Sequence, residues 1–133
     1  MNTMFLALLA SLLLANPVRL LELRAYQTSA ALNEVKVEWS VQNEDAVDRF
    51  IVRRKMQRDA DFVQVSEVES RGTGSYSFSD KNVYKASDNA EMIVYAIVVV
   101  KQDGSRELLG QANVQYSAST VRRTWGSIKA MFQ

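Results

Sequence analysis

Val35-Lys36-Val37-Glu38-Trp39-Ser40-Val41 alternates apolar and polar residues at every position. A period of two marks a β-strand with one dry and one wet face, because successive side chains leave the pleat on opposite sides. Val35, Val37, Trp39 and Val41 therefore point inward, and Trp39 belongs to the core. Upstream, Leu21, Leu23 and Ala25 alternate with Glu22 and Arg24. This predicts a first strand that forms a hairpin with the second across the polar stretch 27–33.

Downstream the pattern continues. After the acidic turn Asn43-Glu44-Asp45-Ala46, a third strand over 49–56 places Phe50 and Val52 inward and Arg53 and Lys55 outward. Asp59-Ala60-Asp61 turns the chain into a fourth strand over 62–68, and Arg71-Gly72-Thr73-Gly74 turns it into a fifth over 75–80. Met92 to Val100 is the most apolar stretch, rich in β-branched residues and dry on both parities, as a central strand requires. Asp103-Gly104 predicts a tight hairpin with a primed turn. The seventh strand carries Leu108, Gly110, Ala112, Val114 and Tyr116 on one parity. Seven short strands with no helix between them predict an all-β fold, a seven-stranded antiparallel β-sandwich.

Of the 133 residues, 47% are hydrophobic and 23% charged, enough for one domain with a single core. There is no cysteine and no histidine. A disulfide framework, a thiolate nucleophile, the commonest general base and the commonest transition-metal ligand are all missing from the chain. Net charge is +1, and the basic excess sits in 117–133, which holds Arg122, Arg123 and Lys129 without an acid. No broad basic face remains for nucleic acid, so that class of partner is excluded. Acids cluster at Glu44-Asp45-Asp48, Asp59-Asp61 and Asp80-Asp88-Glu91, none with the spacing of a calcium loop. They are expected to be solvated turn residues. No catalytic residue, metal site or cofactor is expected, and the chain is read as a non-enzyme.

Met4 to Ala15 is an unbroken apolar run ending at Asn16-Pro17. Its twelve residues suit the core of a signal peptide and fall short of the ~20 needed to span a bilayer as a helix. Residues 1–15 are expected to be a signal peptide, with an apolar anchor as the alternative. The sandwich is then assigned to 16–116 and the chain to an exported location: periplasmic, cell-surface or extracellular.

The segment from Pro17 to Tyr116 resembles the fibronectin type III-like modules of bacterial secreted and cell-surface proteins, especially those associated with type IX secretion. The resemblance lies in Pro17-Val18-Arg19-Leu20, Trp39 in its strand, the Asn43-Glu44 turn and Phe50-Ile51-Val52-Arg53-Arg54. It continues in Phe62 to Val68, Tyr76-Ser77-Phe78-Ser79-Asp80 and Tyr95 to Gly104. Lys55-Met56-Gln57 and Asp88-Asn89-Ala90-Glu91 depart from the pattern, and the tail beyond Tyr116 has no counterpart in it. The resemblance implies a fibronectin type III/immunoglobulin-like fold and a non-catalytic extracellular module for adhesion, spacing or assembly.

Beyond Tyr116 the period changes. Val121, Trp125, Ile128 and Phe132 recur at helical spacing, predicting a short C-terminal amphipathic helix over 117–133. An apolar stripe outside the sandwich covers the domain's own surface or enters a groove on another protein. Val121, Trp125, Ile128 and Phe132, flanked by Arg122 and Arg123, are the expected contacts with other subunits of an envelope or extracellular assembly. Membrane contact through the apolar opening or the basic tail is a further expectation. The alternative function is a carbohydrate- or surface-binding adhesion module using the sandwich-end loops 69–75 and 84–89. If the tail is the docking element, Trp125→Ala weakens co-purification of partner subunits while the melting curve of the sandwich is unchanged; undiminished co-purification would remove the assignment.

Overall fold

The computed structural model describes residues 17–28, 34–81, 83 and 91–116. The apolar opening 1–15 and the tail 117–133 lie outside the described residues, and so does every residue of the expected tail helix.

The strands are β1 (Arg19–Gln27), β2 (Val35–Gln42), β3 (Val47–Lys55), β4 (Val63–Glu69), β5 (Ser75–Asp80), β6 (Glu91–Lys101) and β7 (Arg106–Tyr116). They form a sandwich of two antiparallel sheets, ordered β1-β2-β5 and β4-β3-β6-β7. The expected seven strands and their all-antiparallel pairing are thus observed. The chain changes sheet after β2, β4 and β5.

The core fills the space between the sheets. Val35, Val37, Trp39 and Val41 of β2 face Phe50 and Val52 of β3 and Ile93, Tyr95, Ile97 and Val99 of β6, all buried. Trp39 meets Phe50 edge-on with ring centroids 5.8 Å apart and stacks on Tyr76 at 5.9 Å; Phe50 lies 4.6 Å from Tyr76. Three strands from both sheets thereby share one aromatic cluster, the offset and edge-on geometry that ring quadrupoles favour. As expected for a central strand, β6 is buried on both faces from Tyr95 to Val100, although Met92 at its start is 41% exposed. Its outward Val98 and Val100 join the fully buried Ile51 of β3 in a second, smaller cluster.

Two residues of an apolar parity lie outside the core, each for the same reason. Leu21 shares the parity of Leu23 and Ala25, yet it is 59% exposed. The β1–β2 register skips it, pairing Leu20 with Val41 and Glu22 with Ser40. Leu108 is 54% exposed, because β7 skips Leu109 between Leu108, opposite Val98, and Gly110, opposite Ile97. An extra residue in one strand reverses the parity beyond it. The two irregular segments meet: a Cβ on Gly110 would lie 2.7 Å from Leu20 Cδ2. The missing side chain lets β1 close onto β7.

The β6–β7 hairpin also differs from expectation. Only Gly104 has positive φ, at 87°, and its N–H donates to the Lys101 carbonyl at 2.9 Å while Lys101 N–H donates to Ser105. This is a three-residue loop with glycine in the left-handed position, rather than a two-residue primed turn. In such a loop the left-handed position falls on Gly104 and Asp103 keeps a negative φ, its carboxylate being used within the turn. It accepts from the Ser105 N–H at 2.8 Å and hydroxyl at 2.6 Å, and those bonds hold its pKa below the ordinary value.

The bulge in β1 makes a sharp comparison. Leu20→Ala destabilises the sandwich by about 2 kcal/mol, at the low end for a core leucine because the side chain is only partly covered. Leu21→Ala changes stability by less than about 0.5 kcal/mol in urea unfolding.

Candidate functional site

Strand β5, Ser75-Tyr76-Ser77-Phe78-Ser79-Asp80, is the shortest strand and an edge of its sheet. Alternation sends Tyr76, Phe78 and Asp80 inward and the three serines outward. Buried carboxylates hold it at both ends.

At its beginning sits Glu44, from the β2–β3 turn. Asn43 adopts φ 63°, a conformation asparagine tolerates, and the turn closes with Val47 N–H on the Glu44 carbonyl at 2.9 Å. This turns the Glu44 side chain inward. Its carboxylate accepts the Gly74 N–H at 2.8 Å, the Ser70 hydroxyl at 2.9 Å and the Tyr76 hydroxyl. The Tyr76 oxygen in turn accepts the Arg71 N–H at 2.9 Å. One acid thus ties the β2–β3 turn to the β4–β5 loop and to the aromatic cluster.

At the other end, Asp80 Oδ2 accepts from Arg54 Nη1 at 2.6 Å and from the Tyr95 hydroxyl at 2.8 Å. Asp80 is 2% exposed and reaches from the three-stranded sheet to β3 and β6 of the other. Burial first, and then the Asp80 charge, push the Tyr95 phenol well above its ordinary value. Beside this triad, between the edge strands β4 and β5, lies a cleft of about 450 Å³ with a mixed lining, in which Val63, Val65 and Phe78 stand among Arg54, Asp80, Lys81 and other polar groups. Arg54 Nε is buried there without a hydrogen-bond partner among the described residues.

The outer face of the three-stranded sheet carries a second, shallower depression of about 320 Å³. Glu38 is its centre, accepting from Arg24 Nε and from the Tyr26 hydroxyl, both at 2.8 Å, with Lys36 Nζ at 3.6 Å. Those bonds, Tyr26 first and Arg24 second, lower the Glu38 pKa, and Glu38 raises that of Tyr26. Ser40, Ser75 and Ser77 form part of its lining and add no bulk. The Arg24 guanidinium lies 5.4 Å from the Tyr26 ring centre.

The expected contact residues Val121, Arg122, Arg123, Trp125, Ile128 and Phe132 lie outside the described residues, as does the loop 84–89. The other expected binding loop, 69–75, directs the Ser70 hydroxyl and the Arg71 and Gly74 N–H groups inward to Glu44 and Tyr76. The acids need correction. Glu44, Asp80 and Glu91 are buried rather than solvated. Asp80 was legible, since it shares the inward parity of Tyr76 and Phe78; Glu44 carried no such signal. Among the described residues no group of three acids is placed to hold a metal ion.

Asp80→Ala strands the Arg54 charge and the Tyr95 hydroxyl in the interior. Removing one partner of a buried ion pair costs about 3–5 kcal/mol, and urea unfolding measures it. Alkaline titration gives an independent check. The Tyr95 pKa is raised on folding, so its contribution is complete below the unfolded tyrosine value of about 10 and declines as pH rises beyond it. The loss of stability above that pH is shallower in Tyr95→Phe than in the parent.

No family model and no curated protein matches the chain. Among solved structures it is similar to an Fn3-like protein from Clostridium thermocellum, with TM-score 0.55 and 17% identity over 77% of this chain and 94% of that one. It is also similar to the pectate lyase Pel3 from Pectobacterium carotovorum, with TM-score 0.52 and 18% identity over 74% of this chain and 26% of that one. At these identities the likeness establishes the fold, a fibronectin type III/immunoglobulin-like β-sandwich.

Proposed function

We propose that this chain is a non-catalytic structural or interaction module of a cell-envelope or extracellular assembly, docking to other protein subunits through its sheet edges and its tail. The observation that carries the reading is the β5 edge: a strand paired on one side only among the described residues, pinned at both ends by Glu44 and Asp80, beside a cleft of mixed polar and apolar lining. A strand held in place at both ends has little conformational entropy left to lose when a partner pairs with it. The buried carboxylates Glu44 and Asp80 are engaged in internal bonds that stabilise loops and sheets, which favours scaffold over catalyst. The apolar segment 4–15 supports export, and the sequence resemblance to type IX secretion-associated modules supports an extracellular setting. The Pel3 likeness takes in about a quarter of that lyase chain, so a similar sandwich occurs within a larger protein.

The outer-face depression supports a second reading, a carbohydrate- or surface-binding adhesion module. There the binding groups are Tyr26, Arg24 and Glu38 on a sheet face, rather than the end loops. Affinity electrophoresis in neutral and acidic polysaccharide gels tests it: retardation lost in Tyr26→Ala is the expected result, and unretarded parent protein rules it out.

Native mass spectrometry of the protein purified gently from its source tests the leading reading. A heteromeric complex containing a chain shortened by the opening segment is the expected result. A free monomer of full length overturns it.

A further inference from the structure

Four strands bound the two sheets: β1 and β5 in one, β4 and β7 in the other. Three of these carry an extra residue that breaks the register, Leu21 in β1, Val65 in β4 and Leu109 in β7. Bulges protect an edge by making it a poor template for another strand. β5 has none. It pairs with β2 in unbroken register from Ser40↔Ser75 to Val35↔Asp80, and Ser75 to Ser79 contains neither charge nor proline.

Two hydrogen bonds fix which backbone groups face the open side. Val41 N–H donates to the Gly74 carbonyl at 2.8 Å, and Thr28 N–H donates to the Glu34 carbonyl at 3.2 Å. Both give the same phase: odd residues of β2 bond toward β5 and even residues toward β1. Directly opposed residues in an antiparallel ladder alternate between bonded and unbonded pairs. Tyr76 and Phe78 therefore bond to β2, and the N–H and C=O groups of Ser75, Ser77 and Ser79 face outward along the edge. The Ser75 carbonyl accepts the Thr73 hydroxyl at 3.1 Å.

We propose that β5 pairs antiparallel with β5 of a second copy of this chain, about a twofold axis at Ser77. The proposal rests on the edge-docking reading above and names the partner. The segment Ser75-Tyr76-Ser77-Phe78-Ser79 is self-complementary in that register. Ser77 meets Ser77 of the second copy, Ser75 meets Ser79, and Tyr76 meets Phe78. Small polar residues oppose small polar residues, aromatic opposes aromatic, and no like charges meet across this stretch, which are the favourable cross-strand combinations. The outward groups are those of the bonded pairs 77–77, 75–79 and 79–75, so the ladder closes without a shift in phase. The seam joins two three-stranded sheets into one of six. The cleft between β4 and β5 lies beside the seam, and its lining mixes Val63, Val65 and Phe78 with Arg54, Asp80 and Lys81, so the backbone ladder is the main source of affinity.

The test uses the full chain. Sedimentation equilibrium is expected to show a reversible dimer. Ser77→Pro removes an N–H that faces the open side, a position where an edge strand accepts proline. It is expected to raise the dimer dissociation constant about tenfold or more, since two symmetry-related hydrogen bonds are lost, with the melting curve of the sandwich preserved. Should proline unfold the strand, Ser77→Cys supplies the readout. The parent has no cysteine, and bonded antiparallel partners have Cα atoms about 5.5 Å apart, within disulfide reach. Ser77→Cys is expected to form a covalent dimer under mild oxidation, whereas Ser105→Cys in the exposed β6–β7 turn is not. A parent that stays monomeric up to about 1 mM, a dimer indifferent to Ser77→Pro, or equal cross-linking of the two cysteine variants overturns the proposal. A monomeric parent whose heteromeric complex is lost in Ser77→Pro overturns the second copy as occupant and leaves edge docking to other subunits intact.

Discussion

Tyr76 is the residue through which the dry and polar parts of this sandwich are coupled. Its ring stacks on Trp39 and tilts against Phe50, joining both sheets, while its hydroxyl donates to Glu44. An aromatic ring supplies buried area, and the phenolic oxygen supplies direction. Burying Glu44 would be costly without donors, and the turn geometry provides them from Gly74 and Ser70 as well. The core and the loop cluster therefore require one another: moving Tyr76 would strand a carboxylate, and losing the carboxylate would release the loop that starts β5.

Much of this was legible in the chain. Strict alternation in 35–41 located β2, its inward face and Trp39, and the β-branched run from Met92 located the central strand. Those features are local, with a period of two that survives any tertiary context. The bulges at Leu21 and Leu109 were not legible, because each arises where β1 leans across β7 and Gly110 leaves room for Leu20. Adjacent leucines in both strands, Leu20-Leu21 and Leu108-Leu109, satisfy either parity, so hydrophobicity alone could not choose. The candidate site divides in the same way. Asp80 follows the parity of Tyr76 and Phe78, but Glu44 lies in a turn whose acids look alike, and only the left-handed Asn43 and the arrival of Gly74 single it out.

The two carboxylates also differ in what they hold. Glu44 gathers mostly neutral donors from loops at one end of β5, as an internal cap does. Asp80 meets a guanidinium and a phenol from the opposite sheet, linking the layers directly. Buried ion pairs contribute little net stability relative to apolar packing, but separating the partners, so that one is left buried and unpaired, is costly. For an edge strand with a repetitive serine pattern, slippage by two residues would preserve every inward and outward assignment. Asp80 in contact with Arg54 and Tyr95 penalises such a slip.

The closure of β1 over β7 gives the module a polarity that its sheet order alone does not convey. Among the described residues, Leu20 seated over Gly110 and bulges on both strands close that flank, whereas the β4 and β5 edges leave a cleft between them. Counting strand pairing at the β5 edge alone, and leaving the tail aside, such a unit has in the language of polymers a functionality of one. Monomers with two reactive ends grow into fibres, and monomers with one end stop growth wherever they add. On the proposed β5 pairing the sandwich would act as a chain stopper, able to complete a pair or cap a strand stack without extending it.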